Sequence, residues 1–220
     1  YDHGDLAGID LSKGTRDLPG WSAAFDDSQL KKLLQAYAGI SEEMLWDHLA
    51  YFLRRVVPVA EELGMRLGIH PDDPPWPIFG LPRILVNGDA LHRLLRIMDS
   101  PANGLSLCTG SLGALASNDI PALVDAFAKI DRIAFMHVRN VRIRGEKSFH
   151  ETAHPSASGD LDMYAILSAL HRNGFQGPLR PDHGRMIWDE SGKPGYGLFD
   201  RALGAAYLNG LWEAIAAEKP

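Results

Sequence analysis

Four short apolar runs each end on a side chain able to bind a metal, and no other feature constrains the chain so strongly. Arg66–Ile69 leads into His70, Gly104–Leu107 into Cys108, Ile133–Met136 into His137, and Pro178–Pro181 into Asp182. These residues are spaced roughly 30 to 45 positions apart, about the length of one strand–helix unit each. Parallel strands of a barrel turn their C-terminal ends to one face, where loops gather catalytic groups. Two imidazoles, a thiolate and a carboxylate would then converge on a single ion.

Between the runs, helical patterns alternate with the strands. Ser41 is a good N-cap for a helix from Glu42 to Leu63. Its Leu45, Leu49, Phe52, Leu53, Val56, Ala60 and Leu63 fall on one face at helical spacing. Pro58 should kink this helix, and Gly64 suits the left-handed residue that closes it. Asp89 is expected to cap a helix through Met98, Asp119 one through about Lys129, and Asp160 one through about Arg172, which Gly174 ends. A last helix is expected over Leu198–Ala217. Strands at 65–69, 104–107, 133–138 and 178–181 complete the alternation, which implies right-handed parallel units.

Residues 1–40 are rich in Gly, Asp and Ser, with one weak helical piece at Gln29–Ala38 and no strand signal, and read as a lid or excursion. With no linker in view, residues 1–220 read as a single domain. Four strands are half of an eight-stranded barrel of about 250 residues, and half a barrel would leave two open edges. The expectation is therefore a TIM-type (β/α)8 barrel of which this chain covers roughly the C-terminal four βα units. The chain starts on Tyr1 rather than Met, which fits processing or a shortened sequence.

Composition narrows the function classes. A net charge of −6 with pI near 5.8 disfavours a polyanion partner such as nucleic acid. No apolar run approaches the roughly 20 residues that cross a bilayer, and no signal-peptide pattern opens the chain. One cysteine forbids an internal disulfide, so a reducing cytoplasm is the expected setting.

The individual motifs carry the chemistry. His70-Pro71-Asp72-Asp73-Pro74-Pro75 places an imidazole before a stiff acidic loop. A lone intracellular cysteine is usually a small buried hydrophobe, but with two histidines and a carboxylate Cys108 suits a metal better than a nucleophilic dyad. That mixed donor set would accept Zn, Fe or Mn. His137 interrupts an apolar strand, and nearby Arg139 has the fork geometry to pair with a substrate carboxylate. Arg180-Pro181-Asp182-His183-Gly184 puts His183 beside Asp182 for proton transfer. Gly195-Tyr196-Gly197 sets a phenol between flexible residues, as a lid over substrate would need.

His150 and His154 stand four apart, as on one helical face, but Pro155 breaks the segment, so substrate hydrogen bonding is expected there rather than metal binding. His3, His48, His92 and His171 read as structural or surface residues, and Trp21, Trp46 and Trp212 as packing.

Taken jointly, these stretches resemble the mannonate dehydratases of hexuronate degradation, the metal-dependent type with a xylose-isomerase-like barrel. The resemblance is carried by His70–Pro75 with Gly80-Leu81-Pro82-Arg83-Ile84, Asn103-Gly104 with Cys108-Thr109-Gly110-Ser111, Asn118-Asp119 and His137. It continues through Phe149-His150-Glu151, Gly159–Tyr164, Arg180–Gly184 and Pro194-Gly195-Tyr196. It corresponds to the C-terminal half of that family. It implies His70, Cys108, His137 and Asp182 as ligands of Mn²⁺ or Fe²⁺, and His183 and Tyr196 as an acid–base pair. Arg139, His150 and Arg180 are the expected substrate contacts. The implied reaction is dehydration of D-mannonate to 2-dehydro-3-deoxy-D-gluconate. The expected partner is that small sugar acid, with no nucleic acid, no membrane, and homo-oligomerisation left open. Two other readings compete: a sugar isomerase of the same barrel class, and a non-catalytic metal-binding half-barrel. A metal-lined nuclease is disfavoured by the acidic balance.

Overall fold

Strand β3, Asn103–Cys108, is buried at all six positions and is the axis of the molecule. A strand covered on both faces reads as a continuous apolar run rather than an alternating one. Leu105 and Leu107 lie on one face, and small Gly104 and Ser106 lie on the other, where they are buried as well. The computed structural model describes residues 2–5, 27–193 and 195–218.

In chain order the elements are β1 (Asp2–Asp5), α1 (Asp27–Tyr37), α2 (Glu42–Glu62), β2 (Leu67–Ile69), α3 (Gly88–Ile97), β3 and α4 (Thr109–Gly113). There follow α5 (Ile120–Lys129), β4 (Ile133–His137), β5 (Val141–Gly145), β6 (Ser148–Glu151), α6 (Met163–Arg172), β7 (Leu179–Arg180) and α7 (Leu198–Ala217). The sheet order β2-β3-β4-β7 is parallel throughout, with Leu67 opposite Asn103, Cys108 opposite His137 and His137 opposite Arg180. Each strand is reached through a helix packed outside the sheet, with α5 against α6 and α6 against α7. Leu94, Leu105, Leu107, Phe127, Met136 and Ile166 are among the buried residues that join helices to sheet. All four strands expected from the sequence are present.

Helix boundaries follow local chemistry. Ser41 Oγ accepts from Met44 N at 3.2 Å, Asp119 caps α5 through Ala122 N, and Gly64 closes α2 at φ +62°. α7 has the expected bounds. Two caps differ. Asn87 rather than Asp89 caps α3, leaving Asp89 in the first turn, where it favours the helix dipole. Asp162 rather than Asp160 caps α6, because Asp160 is committed to Ile143 N at 2.7 Å. In each case two carboxylate or amide candidates stood within a turn of the start.

Two larger differences concern faces and strands. α2 buries Trp46, Leu53, Val57 and Ala60, while Phe52 is 50 % exposed and Leu63 67 %. The buried stripe is thus rotated from the expected one, drawn by Trp46, which also stacks under Arg93 at 4.2 Å. Pro58 sits within an uninterrupted helix. A second sheet, antiparallel in the order β1-β6-β5, was not expected. β1 lacks any apolar alternation, so its extended form comes from hydrogen bonding to the edge of β6. The remainder of the expected lid, residues 6–26, lies outside the described residues, as does Trp21. No helix among the described residues is long and apolar enough to cross a membrane.

The buried Asp200 fastens the start of α7 by accepting from Arg185 N at 2.8 Å, Nε at 3.0 Å and the terminal guanidinium at 2.9 Å. Burial opposes its ionisation, but the Arg185 bonds outweigh that and hold its carboxyl below the usual range. Asp200→Asn should therefore cost about 2 kcal/mol near neutral pH, roughly 4–8 °C in Tm. A group with a depressed folded pKa stabilises fully above its unfolded value of about 4 and loses that contribution as pH falls through the folded value. Melting curves of both proteins from pH 7 to 3 should thus show a constant gap that closes only below about pH 4.

Candidate metal and acid–base site

The parallel register brings the strand ends to one place. Cys108 and His137 are paired neighbours at the ends of β3 and β4, Asp182 lies just past β7, and His70 just past β2. One candidate donor atom from each of these four lies within 4.8 Å of all the others. Cys108, His137 and Asp182 are buried and His70 is the exposed member. The rings of His70 and His137 lie 5.1 Å apart. His70 Nδ1 is 2.6 Å from Pro71 O, a contact that fits an Nδ1–H donor and leaves Nε2 for the cluster.

Two observations show that the donor set fits a cation. His137 Nδ1 is buried without a hydrogen-bond partner, 3.4 Å from Asp182 Oδ1. Cys108 Sγ lies 3.6 Å from Asp182 Oδ2. Burial alone would push the Cys108 thiol up, but Arg139 and the imidazoles of His137 and His70 bring it down to about 5. Cys108 also caps α4, with Sγ accepting from Ser111 N at 3.4 Å, a position that favours thiolate. Asp182 is likewise held low: burial opposes ionisation, and Arg139, His183, His137 and Arg180 overcome it. Two anions so close together call for positive charge between them.

Part of that charge is Arg139, only 2 % exposed. Its terminal nitrogens bind Glu151, Asp73 at 2.5 Å and Ser111 Oγ at 3.1 Å, and Nε lies 3.2 Å from Asp182 Oδ2. This corrects the view of Arg139 as a substrate fork: its donors face protein carboxylates. The Cys108-Thr109-Gly110-Ser111 motif is built around it. Thr109 Oγ1 donates to Arg139 O at 2.7 Å and accepts from Arg139 N at 3.0 Å. A Cβ on Gly110 would meet the Arg139 side chain at 2.5 Å, so only glycine leaves room.

His183 stands beside the cluster, with Nδ1 2.5 Å from Glu151 Oε1 and Nε2 3.8 Å from Asp182 Oδ2. Burial lowers its affinity for a proton, but Glu151 more than restores it and its pKa is raised. Tyr196, 47 % exposed, sets its ring 5.6 Å from that of His183, held there by the bridge between Gly184 and Tyr196. Arg180 donates to Asp182 Oδ1 at 2.9 Å, with its side chain half exposed.

His150 is not drawn in. On β6, Phe149 and Glu151 share the buried face and His150 points the other way, accepting from Arg144 Nε at 2.8 Å. His150 and His154 therefore share no helical face; His154 is buried against Gly204 of α7. His92 packs on Phe127 and His171 on Trp212. Glu151 and Asp73 are the site residues that motif reading passed over. The alternation through Ser148-Phe149-His150-Glu151 was the available signal, since it places a carboxylate beside a buried Phe.

A parallel sheet with helices packed outside it is the arrangement of xylose-isomerase-like TIM barrels, and solved structures agree in fold. A xylose isomerase-like TIM barrel protein from Mycobacterium smegmatis in complex with magnesium superposes with TM-score 0.58 at 16 % identity, over 81 % of this chain and 54 % of that one. The crystal structure of mannonate dehydratase from Streptococcus suis serotype 2 superposes with TM-score 0.80 at 48 % identity, over 86 % of this chain and 55 % of that chain. The D-mannonate dehydratase (UxuA) family model matches residues 2–220. Mannonate dehydratase 2 of Halalkalibacterium halodurans is 53 % identical over 99 % of this chain, and mannonate dehydratase of Thermotoga neapolitana 50 % identical over all of it. The chain belongs to the D-mannonate dehydratase family. It spans 63 % of the length of those two relatives, and its sheet is a partial barrel.

Replacing Arg139 by Leu would leave buried carboxylates uncompensated and should cost about 3–5 kcal/mol. Arg139→Lys, which keeps the charge without the fork, should fall between that variant and the parent in urea unfolding.

Proposed function

We propose that the chain acts as a metal-dependent hydro-lyase that removes water from D-mannonate to give 2-dehydro-3-deoxy-D-gluconate. The observation that carries this reading is the convergence of His70, Cys108, His137 and Asp182 beside His183 and Tyr196. Family membership supports the choice of substrate.

In this reading the four converging residues hold Mn²⁺ or Fe²⁺, ions that accept imidazole, carboxylate and thiolate together. The ion, when bound, supplies a Lewis acid for the enolate-like charge that develops as the C2 proton leaves. His183 and Tyr196 divide the proton transfers, one taking the C2 proton and the other protonating the departing C3 hydroxyl. Their rings lie 5.6 Å apart, which suits two groups serving adjacent carbons of one substrate. Arg180 is the better candidate for the substrate carboxylate, because its side chain is half exposed at the cluster whereas Arg139 is enclosed. His150 has no part in this scheme. A lone cysteine kept as a thiolate suits a reducing compartment, and we take the cytoplasm as the setting.

Mn²⁺-loaded protein should convert D-mannonate to a 2-keto-3-deoxy acid. His183→Asn and Tyr196→Phe should each lower kcat by roughly 10²–10⁴-fold with metal content unchanged. A rise in KM with kcat intact in either variant overturns the pair, and absence of product at full metal occupancy overturns the dehydratase reading. Mn²⁺ at a hundredfold excess over its Kd should also stabilise the protein by about 2.7 kcal/mol. Differential scanning calorimetry should show that gain reduced or lost in Cys108→Ser and Asp182→Asn.

A further inference from the structure

The antiparallel sheet contributes one functional group that the ligand motifs do not contain. β6 ends on Glu151, whose side chain is 4 % exposed, and a single oxygen, Oε1, meets both Arg139 and His183 Nδ1. Arg139 in turn reaches Asp73 and Asp182, so one guanidinium joins the carboxylate behind His183 to a carboxylate of the ligand cluster. The imidazole is held at Nδ1, which lies 2.5 Å from Glu151, while Nε2 is turned toward Asp182 Oδ2 at 3.8 Å, beyond hydrogen-bond distance.

A carboxylate in this position accepts a hydrogen bond and cannot donate one. It keeps the proton of a neutral imidazole on Nδ1, whereas a free imidazole prefers the proton on Nε2. A carboxylate behind a catalytic histidine has the same effect in serine hydrolases, where it sets tautomer and orientation without taking the proton itself. We propose that Glu151 is the positioning residue for His183, holding Nδ1 as the donor so that Nε2 exchanges the proton with substrate at the cluster. This rests on the reading of His183 as an acid–base residue. It also gives the β5–β6 hairpin a purpose in the site, because the hairpin's buried face delivers Glu151.

The test compares Glu151→Ala, Glu151→Gln and Glu151→Asp with His183→Asn. Glu151→Ala should lower kcat by roughly 10²-fold while KM stays within about threefold and metal per chain is unchanged. In ¹⁵N-imidazole NMR of Zn²⁺-loaded protein, the parent should carry the His183 proton on Nδ1, and Glu151→Ala should move most of it to Nε2. Glu151→Gln keeps the acceptor oxygen and should recover at least tenfold of the lost kcat along with the Nδ1–H tautomer. If Glu151→Ala does not fold, Glu151→Asp, with its shorter reach, carries the same comparison. A Glu151→Ala protein with parental kcat, with Nδ1–H retained, or with a loss explained by metal content overturns the inference. His183→Asn separates the two ideas. Inactivity there beside a fully active Glu151→Ala defeats the inference alone, whereas full activity in His183→Asn defeats the acid–base reading beneath it.

Discussion

One buried cation organises the functional end of this molecule. Arg139 leaves β4 just beyond His137 and fans its nitrogens to Asp73, Glu151 and Asp182, which come from three different segments. A planar guanidinium suits this task because its donors diverge in a fixed plane and it stays ionised when enclosed. Its removal from water is costly unless its donors meet acceptors, and here Ser111 Oγ joins the three carboxylates around the guanidinium while Thr109 clamps the Arg139 backbone. The loop after β2, the turn after β3, strand β6 and the segment after β7 are thereby locked to one centre.

The convergence of the four candidate ligands was legible in the sequence because each of them is placed locally. A residue at the end of an apolar strand in a parallel sheet has its location set by the strand itself, so His70, Cys108, His137 and Asp182 could be placed without knowing any tertiary contact. His183 and Tyr196 were legible by their nearness to Asp182 and to paired glycines. Arg139 was seen but assigned outward, because its sequence neighbours do not reveal that Asp73 and Glu151, 66 and 12 residues away, would take its donors. Glu151 was hidden by its own neighbour: His150 reads as the substrate contact of this stretch, yet alternation along β6 turns it away and turns Glu151 in.

The fold shows the same division between local and assembled information. Caps and terminators followed from single residues, apart from two helices where a second polar side chain near the start takes the cap. The buried face of α2 did not follow, because two apolar stripes compete on that helix and Trp46 settles which is covered. β1 owes its form wholly to a partner strand, so no pattern within Asp2–Asp5 could have announced it.

Gly110 bears on how such a site tolerates change. It makes no hydrogen bond to Arg139 and contributes no charge, and what it offers the guanidinium is vacancy. A single added carbon there would displace the cation from three acids at once, although the glycine touches none of them chemically. The charge balance of the whole centre therefore hangs on a missing methyl group, and an inventory of contacts would rank that position last.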